Sequence, residues 1–220
     1  IITVEDPVEY QLAGITQIQA HSEIGYTFAR ALRAILRQDP DVIMIGEIRD
    51  QETAEIAIQA SLTGHLVLAT LHTNDAVSAF TRLIDMGVEP FLVAAPMRAV
   101  MAQRLVRRLC PHCAAPAPPP PLAEEIRDSL PPVWRAAAPQ WRRPVGCPAC
   151  QGAGYRGRIG VYELVEVTAE MQGLIVKATP TEEMRELARQ QDFRALRGDG
   201  FLKAWRGMTT VDEVLRVTAQ

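Results

Sequence analysis

Three polar groups each close a short apolar run in the first third of the chain. Glu5-Asp6 follows Ile1-Ile2-Thr3-Val4, Glu47 follows Val42-Ile43-Met44-Ile45-Gly46, and His72-Thr73-Asn74 ends the run that begins at His65. Paired carboxylates suit Mg²⁺, a hard cation that takes oxygen ligands and keeps bound water. A glutamate one residue past a strand can orient or deprotonate an attacking water, and a histidine on a neighbouring strand can contact a terminal phosphate. Each group also has a plain reading, a solvated strand-end acid or a structural histidine. Three of them at one topological position favour chemistry, because open parallel sheets bind ligands beyond the carboxyl ends of their strands.

A second constellation is Cys110-Pro111-His112-Cys113 with Cys147-Pro148-Ala149-Cys150. Two Cys-x-x-Cys pairs can supply four thiolates to a closed tetrahedral zinc site, which leaves no position for substrate and is therefore structural. His112 is a spare donor. Redox-active pairs or disulfides would need a thioredoxin-like βαβ unit or an exported chain, and neither signal is present.

The elements that must hold these groups are legible as an α/β pattern. Short apolar runs bounded by turn residues read as strands buried on both faces. Phe28, Ala31, Leu32, Ile35 and Leu36 share a helix face with Thr27 as its cap. Asp50 caps a second helix that Gly64 stops, and Asn74 or Asp75 caps a third that Gly87 closes. Pro90 begins a further helix, expected to carry Arg98, Arg104, Arg107 and Arg108 toward Cys110. After a Pro-rich spacer at 114–121, a short helix is expected over 122–130 and a strand or hairpin over 155–165. Capped helices then start near Thr179 and Thr210. Strand and helix in alternation suit a parallel sheet with crossover helices.

The chain has 220 residues, 48% hydrophobic and 22% charged, and its net charge of −3 argues against a dedicated nucleic-acid binder. No apolar run reaches the roughly 18 residues of a membrane span. The chain opens in an apolar strand without a methionine or an export signal, so it reads as a piece of a longer protein.

Taken together, Thr3-Val4-Glu5-Asp6-Pro7-Val8-Glu9-Tyr10, Leu36-Arg37-Gln38-Asp39-Pro40-Asp41, Gly46-Glu47-Ile48-Arg49-Asp50, Thr63-Gly64-His65 and Leu71-His72-Thr73-Asn74-Asp75 resemble the secretion ATPase superfamily. These are the traffic ATPases of type II secretion and type IV pilus assembly. Arg104-Leu105-Val106-Arg107 before Cys110 is most similar to the type II class called GspE. The resemblance implies a fold, the C-terminal part of a RecA-like P-loop ATPase core over 1–106. A tetracysteine zinc-binding subdomain would follow over 107–158, and a strand or hairpin with a C-terminal helical subdomain over 159–220. It makes Glu5-Asp6 the Asp box, Gly46-Glu47 an atypical Walker B motif and His65 to His72 the His box. Gly46 stands where many ATPases place a Mg²⁺-binding aspartate, so Glu47 carries that acidic function with help from Glu5 and Asp6. His72 then contacts the γ-phosphate, while Arg30, Arg33, Arg49, His65 and Thr73 are candidates for nucleotide or subunit contacts. For the helix arginines, a solvated face is the alternative.

The implied cofactors are ATP, Mg²⁺ and Zn²⁺. The implied setting is a homo-hexamer on the cytoplasmic face of the bacterial inner membrane. It would be held there by secretion platform proteins, and would drive a pseudopilus that exports folded proteins. Two other readings stand beside it, a type IV pilus assembly ATPase and a non-catalytic zinc-stapled docking module. The family's Gly-x-x-x-x-Gly-Lys-Ser/Thr loop does not occur, nor does any Gly-Lys pair. In the family that loop precedes the Asp box, so it is expected upstream of Ile1. These residues alone are then expected to bind ATP poorly and not to turn it over.

Overall fold

Four short strands lie side by side and parallel in the computed structural model, which describes residues 1–191 and 193–219. In chain order the first elements are β1 (Ile2–Glu5), β2 (Thr16–Gln19), α1 (Phe28–Ile35), β3 (Val42–Ile45), α2 (Gln51–Leu62), β4 (Leu66–Ala69), α3 (Ser78–Asp85) and α4 (Pro90–Ala94). There follow β5 (Ala99–Leu109), β6 (Ala115–Pro116), α5 (Ala123–Ser129), α6 (Pro132–Arg135), β7 (Arg142–Arg143), β8 (Tyr155–Glu166), α7 (Ala169–Val176), α8 (Thr181–Gln190), α9 (Leu196–Trp205) and α10 (Val211–Thr218). They form two compact units, each built from two stretches of chain. Ile1–Val100 joins Glu166–Ala188, and Met101–Val165 joins Arg189–Gln220.

The first unit holds the sheet, in the order β2-β1-β3-β4. Val4, Ile43 and Ile45 are fully buried, as the apolar composition of β1 and β3 demands. The expected caps form: the Thr27 hydroxyl accepts from Arg30 N at 3.3 Å and the Asp50 carboxylate from Thr53 N at 2.8 Å. The face α1 buries is Phe28, Ala29, Ala31, Leu32 and Ile35, a 3.6-residue stripe. On α2 the buried residues are Thr53 and the alanines at 54, 57 and 60, small enough for close packing of the helix. Gly64 ends that helix at φ +111°, a left-handed conformation open to glycine at little cost.

Two sequence expectations are overturned. The run after His65 does not become a strand buried on both faces. It forms β4 at the end of the sheet, with Leu66 55% and Leu68 51% exposed. Apolar composition records what a strand can pack against, whereas burial depends on a neighbour being there. The helix expected to run from Pro90 through Arg108 stops at Ala94, and Ala99–Leu109 is the strand β5, paired with β8. Alanine, methionine, glutamine, arginine and leucine are good helix formers, but pairing overrides so weak a preference. The burial pattern alternates accordingly: Val100, Ala102 and Val106 turn inward, and Met101, Gln103 and Leu105 outward.

In the second unit, Ile126, Leu130, Phe201, Leu202, Trp205 and Val214 form an apolar cluster, with Trp141 edge-on to Trp205 at 5.4 Å. Glu213 of α10 is 2% exposed and is gripped by Arg107 Nε and Nη2 at 3.0 and 2.8 Å and by Arg216 Nε at 3.1 Å. Burial opposes ionisation, but these donors and the Arg107 N–H bring its carboxyl down to about 2. Among the described residues no helix is long and apolar enough to cross a membrane.

Candidate functional site

Parallel pairing brings the three polar groups to one edge. Val4 lies opposite Ile45, and Ile45 opposite Ala69, so β1, β3 and β4 run out together. Backbone bonds continue the lacing past the strand ends. Gly46 N donates to Val4 O at 2.7 Å and Ile48 N to Thr70 O at 3.0 Å, while the Thr70 hydroxyl donates to Gly46 O. Glu47 and His72 are thereby set side by side.

The Glu47 side chain is 13% exposed and both its oxygens are engaged. Oε1 accepts from the Arg49 guanidinium, and Oε2 lies 2.7 Å from His72 Nε2. Arg49 holds the Glu47 carboxyl below the usual carboxylate range. Partial burial works against this and His72 adds to it. Glu47 in turn, with a smaller contribution from Asp6, holds Arg49 more firmly protonated. Glu5 is fixed from its own strand and from β2, its Oε1 accepting from Thr3 Oγ1 at 2.6 Å and Gln17 Nε2 at 3.0 Å. A β-carbon on Gly46 would meet Val4 O at 3.1 Å and Glu5 Cα at 3.3 Å. The strands therefore leave little room for a side chain where glycine precedes Glu47.

The other candidates have partners outside the Glu47–His72 pair. His65 precedes β4, at the opposite end of the strand from His72, and its Nδ1 lies 2.9 Å from Ala60 O, closing the last turn of α2. Arg33 pairs with exposed Glu52 at 2.5 Å, and Arg30 Nη1 donates to Gly25 O at 3.4 Å. Thr73 Oγ1 donates to Asp75 O at 3.0 Å. Sequence reasoning took Asp75 only for a possible helix cap and passed over Arg185. The two form an ion pair at 3.2 Å across 110 positions, for which no local pattern exists.

In the second unit the four cysteine sulfurs lie within 4.8 Å of one another. Cys110–Cys147, Cys113–Cys150 and Cys147–Cys150 stand at 3.9, 3.8 and 3.7 Å. A tetrahedron of sulfurs around zinc, with Zn–S of about 2.3 Å, has edges of about 3.8 Å, so the site fits the ion. Backbone N–H groups of Gly146 and Gly154 point at Cys113 and Cys150 at 3.3 and 3.2 Å, as thiolates require. Burial pushes the Cys113 thiol up to about 11. Burial also raises Cys150, but the N–H groups of Cys147 and Gly154 outweigh it and bring that thiol down to about 6. Deprotonation can thus begin at one sulfur of the set.

The sequence profile of the family described as Type II/IV secretion system protein matches residues 1–216. The chain belongs to that family. It is 56% identical over 220 residues to type II secretion system protein E of Pseudomonas aeruginosa, covering 100% of this chain and 43% of that protein. It is 50% identical over 218 residues to the type IV pilus assembly ATPase PilB of Thermus thermophilus, covering 99% of this chain and 24% of the relative. The chain thus spans less than half the length of these relatives. The crystal structure of the pilus retraction motor PilT with bound ADP superimposes with a TM-score of 0.67 at 25% identity, over 100% of this chain and 52% of PilT.

Proposed function

We propose that the complete protein is the ATP-hydrolysing motor of a type II secretion system. It would work as a homo-hexamer on the cytoplasmic face of the bacterial inner membrane, docked on platform proteins, and drive pseudopilus assembly and export of folded proteins. The observation that carries this is Glu47, ionised at the sheet edge beside His72, with Glu5 and Asp6 closing the adjacent strand. PilT, similar over the whole chain, is a motor that binds ADP. In this reading residues 1–106 are the RecA-like core, 107–158 the zinc-binding subdomain and 159–220 the helical remainder. An upstream strand bearing the phosphate loop would add to the open edge of β4.

Transfer of a phosphoryl group to water asks the protein for position and charge rather than covalent chemistry. A carboxylate held below its usual range is a weak base and a good acceptor, so Glu47 orients the attacking water and takes its proton late. His72 contacts the γ-phosphate and Arg49 can turn from Glu47 to the phosphate oxygens, staying charged throughout. Arg30, Arg33, His65 and Thr73 are left for nucleotide or subunit contacts. Mg²⁺, when bound, would neutralise phosphate charge, and Glu5, Asp6 and Glu47 are the carboxylates placed to hold it. Zn²⁺ on Cys110, Cys113, Cys147 and Cys150 would be structural.

The test is phosphate release by the complete protein with ATP, alongside Glu47→Gln. Hydrolysis that the variant abolishes is the expected result. The absence of any effect of ATP on melting temperature or oligomer size would leave the docking-module reading instead. The 50% identity to PilB favours a second reading, a pilus assembly ATPase. Loss of a secreted enzyme rather than of surface pili in a deletion strain separates the two.

A further inference from the structure

The loop that carries His72 is gripped from behind by the Asp75 carboxylate and, through it, by Arg185. Asp75 is 8% exposed. Its Oδ1 accepts from Ser78 N at 2.8 Å and caps the first turn of α3, while the Ser78 hydroxyl reaches Oδ1 and Oδ2 at 2.9 Å. Its Oδ2 also accepts from Arg185 Nη2 on α8 at 3.2 Å, and its backbone carbonyl accepts from Thr73 Oγ1 at 3.0 Å. A single buried residue thus ties together the His72 loop, the start of α3 and a helix more than a hundred positions downstream.

That ion pair is not needed to dock the downstream segment. Met171 and Ile175 of α7 and Met184 of α8 are fully buried, and Gln172 Nε2 donates to Ala94 O at 3.2 Å. Apolar burial of this kind carries most of the docking energy, and a partly exposed ion pair adds little to it. Its effect is local, and it falls three residues beyond His72. The helix that supplies Arg185 is also the one whose chain passes from the first compact unit into the second between Ala188 and Arg189.

We propose that Arg185 is a positioning residue for His72. Through Asp75 it fixes the loop after β4, so that the approach of His72 to Glu47 depends on where α8 stands. The role rests on the hydrolytic reading above.

Two arms test it. In this chain without nucleotide, hydrogen exchange is followed by mass spectrometry in Arg185→Gln and Arg185→Lys. Amides of residues 71–77 are expected to exchange on the order of tenfold faster in Arg185→Gln, from loss of a charge-assisted bond. Arg185→Lys should restore most of the protection, and α7 should exchange as before. Unchanged exchange at 71–77, or loosening spread equally over α7 and α8, overturns the proposal. In the complete protein, Arg185→Gln and Asp75→Asn should each lower kcat for ATP about tenfold with KM little changed, and the double variant no further. Local loosening with an unaltered kcat also overturns it. A wild-type protein that hydrolyses no ATP would sink the hydrolytic reading instead, while the exchange arm still decides whether Arg185 holds the loop.

Discussion

Gly46 donates its N–H to the Val4 carbonyl at 2.7 Å, and a β-carbon on Gly46 would stand 3.1 Å from that same oxygen. One contact therefore both joins β3 to β1 and makes a side chain there a tight fit, since the neighbouring backbone would have to give by a few tenths of an ångström. Glu5 Cα would lie 3.3 Å from that carbon. Gly46→Asp, which restores the commoner motif on paper, is expected to destabilise the chain by about 1–3 kcal/mol through overpacking. Urea unfolding would read this directly, and an unchanged midpoint would show that the strands can part.

Glu47→Gln keeps the size of the side chain and its contact with His72 but removes the charge. In the complete protein, turnover is expected to fall by a factor of 100 or more, roughly what general-base catalysis contributes. ATP binding should survive, so nucleotide affinity and phosphate release measured side by side separate lost chemistry from lost folding.

Much of this edge is legible in the sequence. Thr27 and Asp50 cap the helices that their positions announce, and the strand ends at Glu5, Glu47 and His72 meet because β1, β3 and β4 are parallel neighbours. What escapes detection is decided by partners distant in sequence. β5 is built from helix formers and becomes a strand only because β8 is there to pair with it. His65 looks equivalent to His72 in the motif, but one ring closes a helix and the other meets Glu47. Arg107 and Glu213 are 106 positions apart, and neither carries a local sign of its partner.

Zinc is expected at one ion per chain by elemental analysis. Cys150→Ser or a strong chelator should remove it and lower the melting temperature by about 10 °C, as the loss of a few kcal/mol does in a chain of this size. A metal-free protein with an unaltered melting curve would show that the thiols hold the second unit without an ion.

Glu213 supplies a pH signature. Its carboxyl sits at about 2 when folded, against an ordinary 4.5, so the unfolded chain binds the proton more readily. The stabilisation is complete above pH 4.5 and is lost as the pH falls from there toward 2. The half-exposed arginines reduce it to about 1–2 kcal/mol through solvent screening. Glu213→Gln should therefore be less stable at pH 7 and flatter in its acid limb, as denaturation midpoints at pH 7, 4 and 3 would show.

The open flank of β4 has a consequence for handling the chain. Leu66 and Leu68 sit on a terminal strand without a charged residue or a proline among its four positions. Strands of that kind add to one another edge to edge, and preparations containing them tend toward insoluble assemblies. Solubility of these residues expressed alone should thus be governed at one place. Leu68→Lys is expected to improve yield, and light scattering on heating would show whether the growth of aggregates starts from that strand.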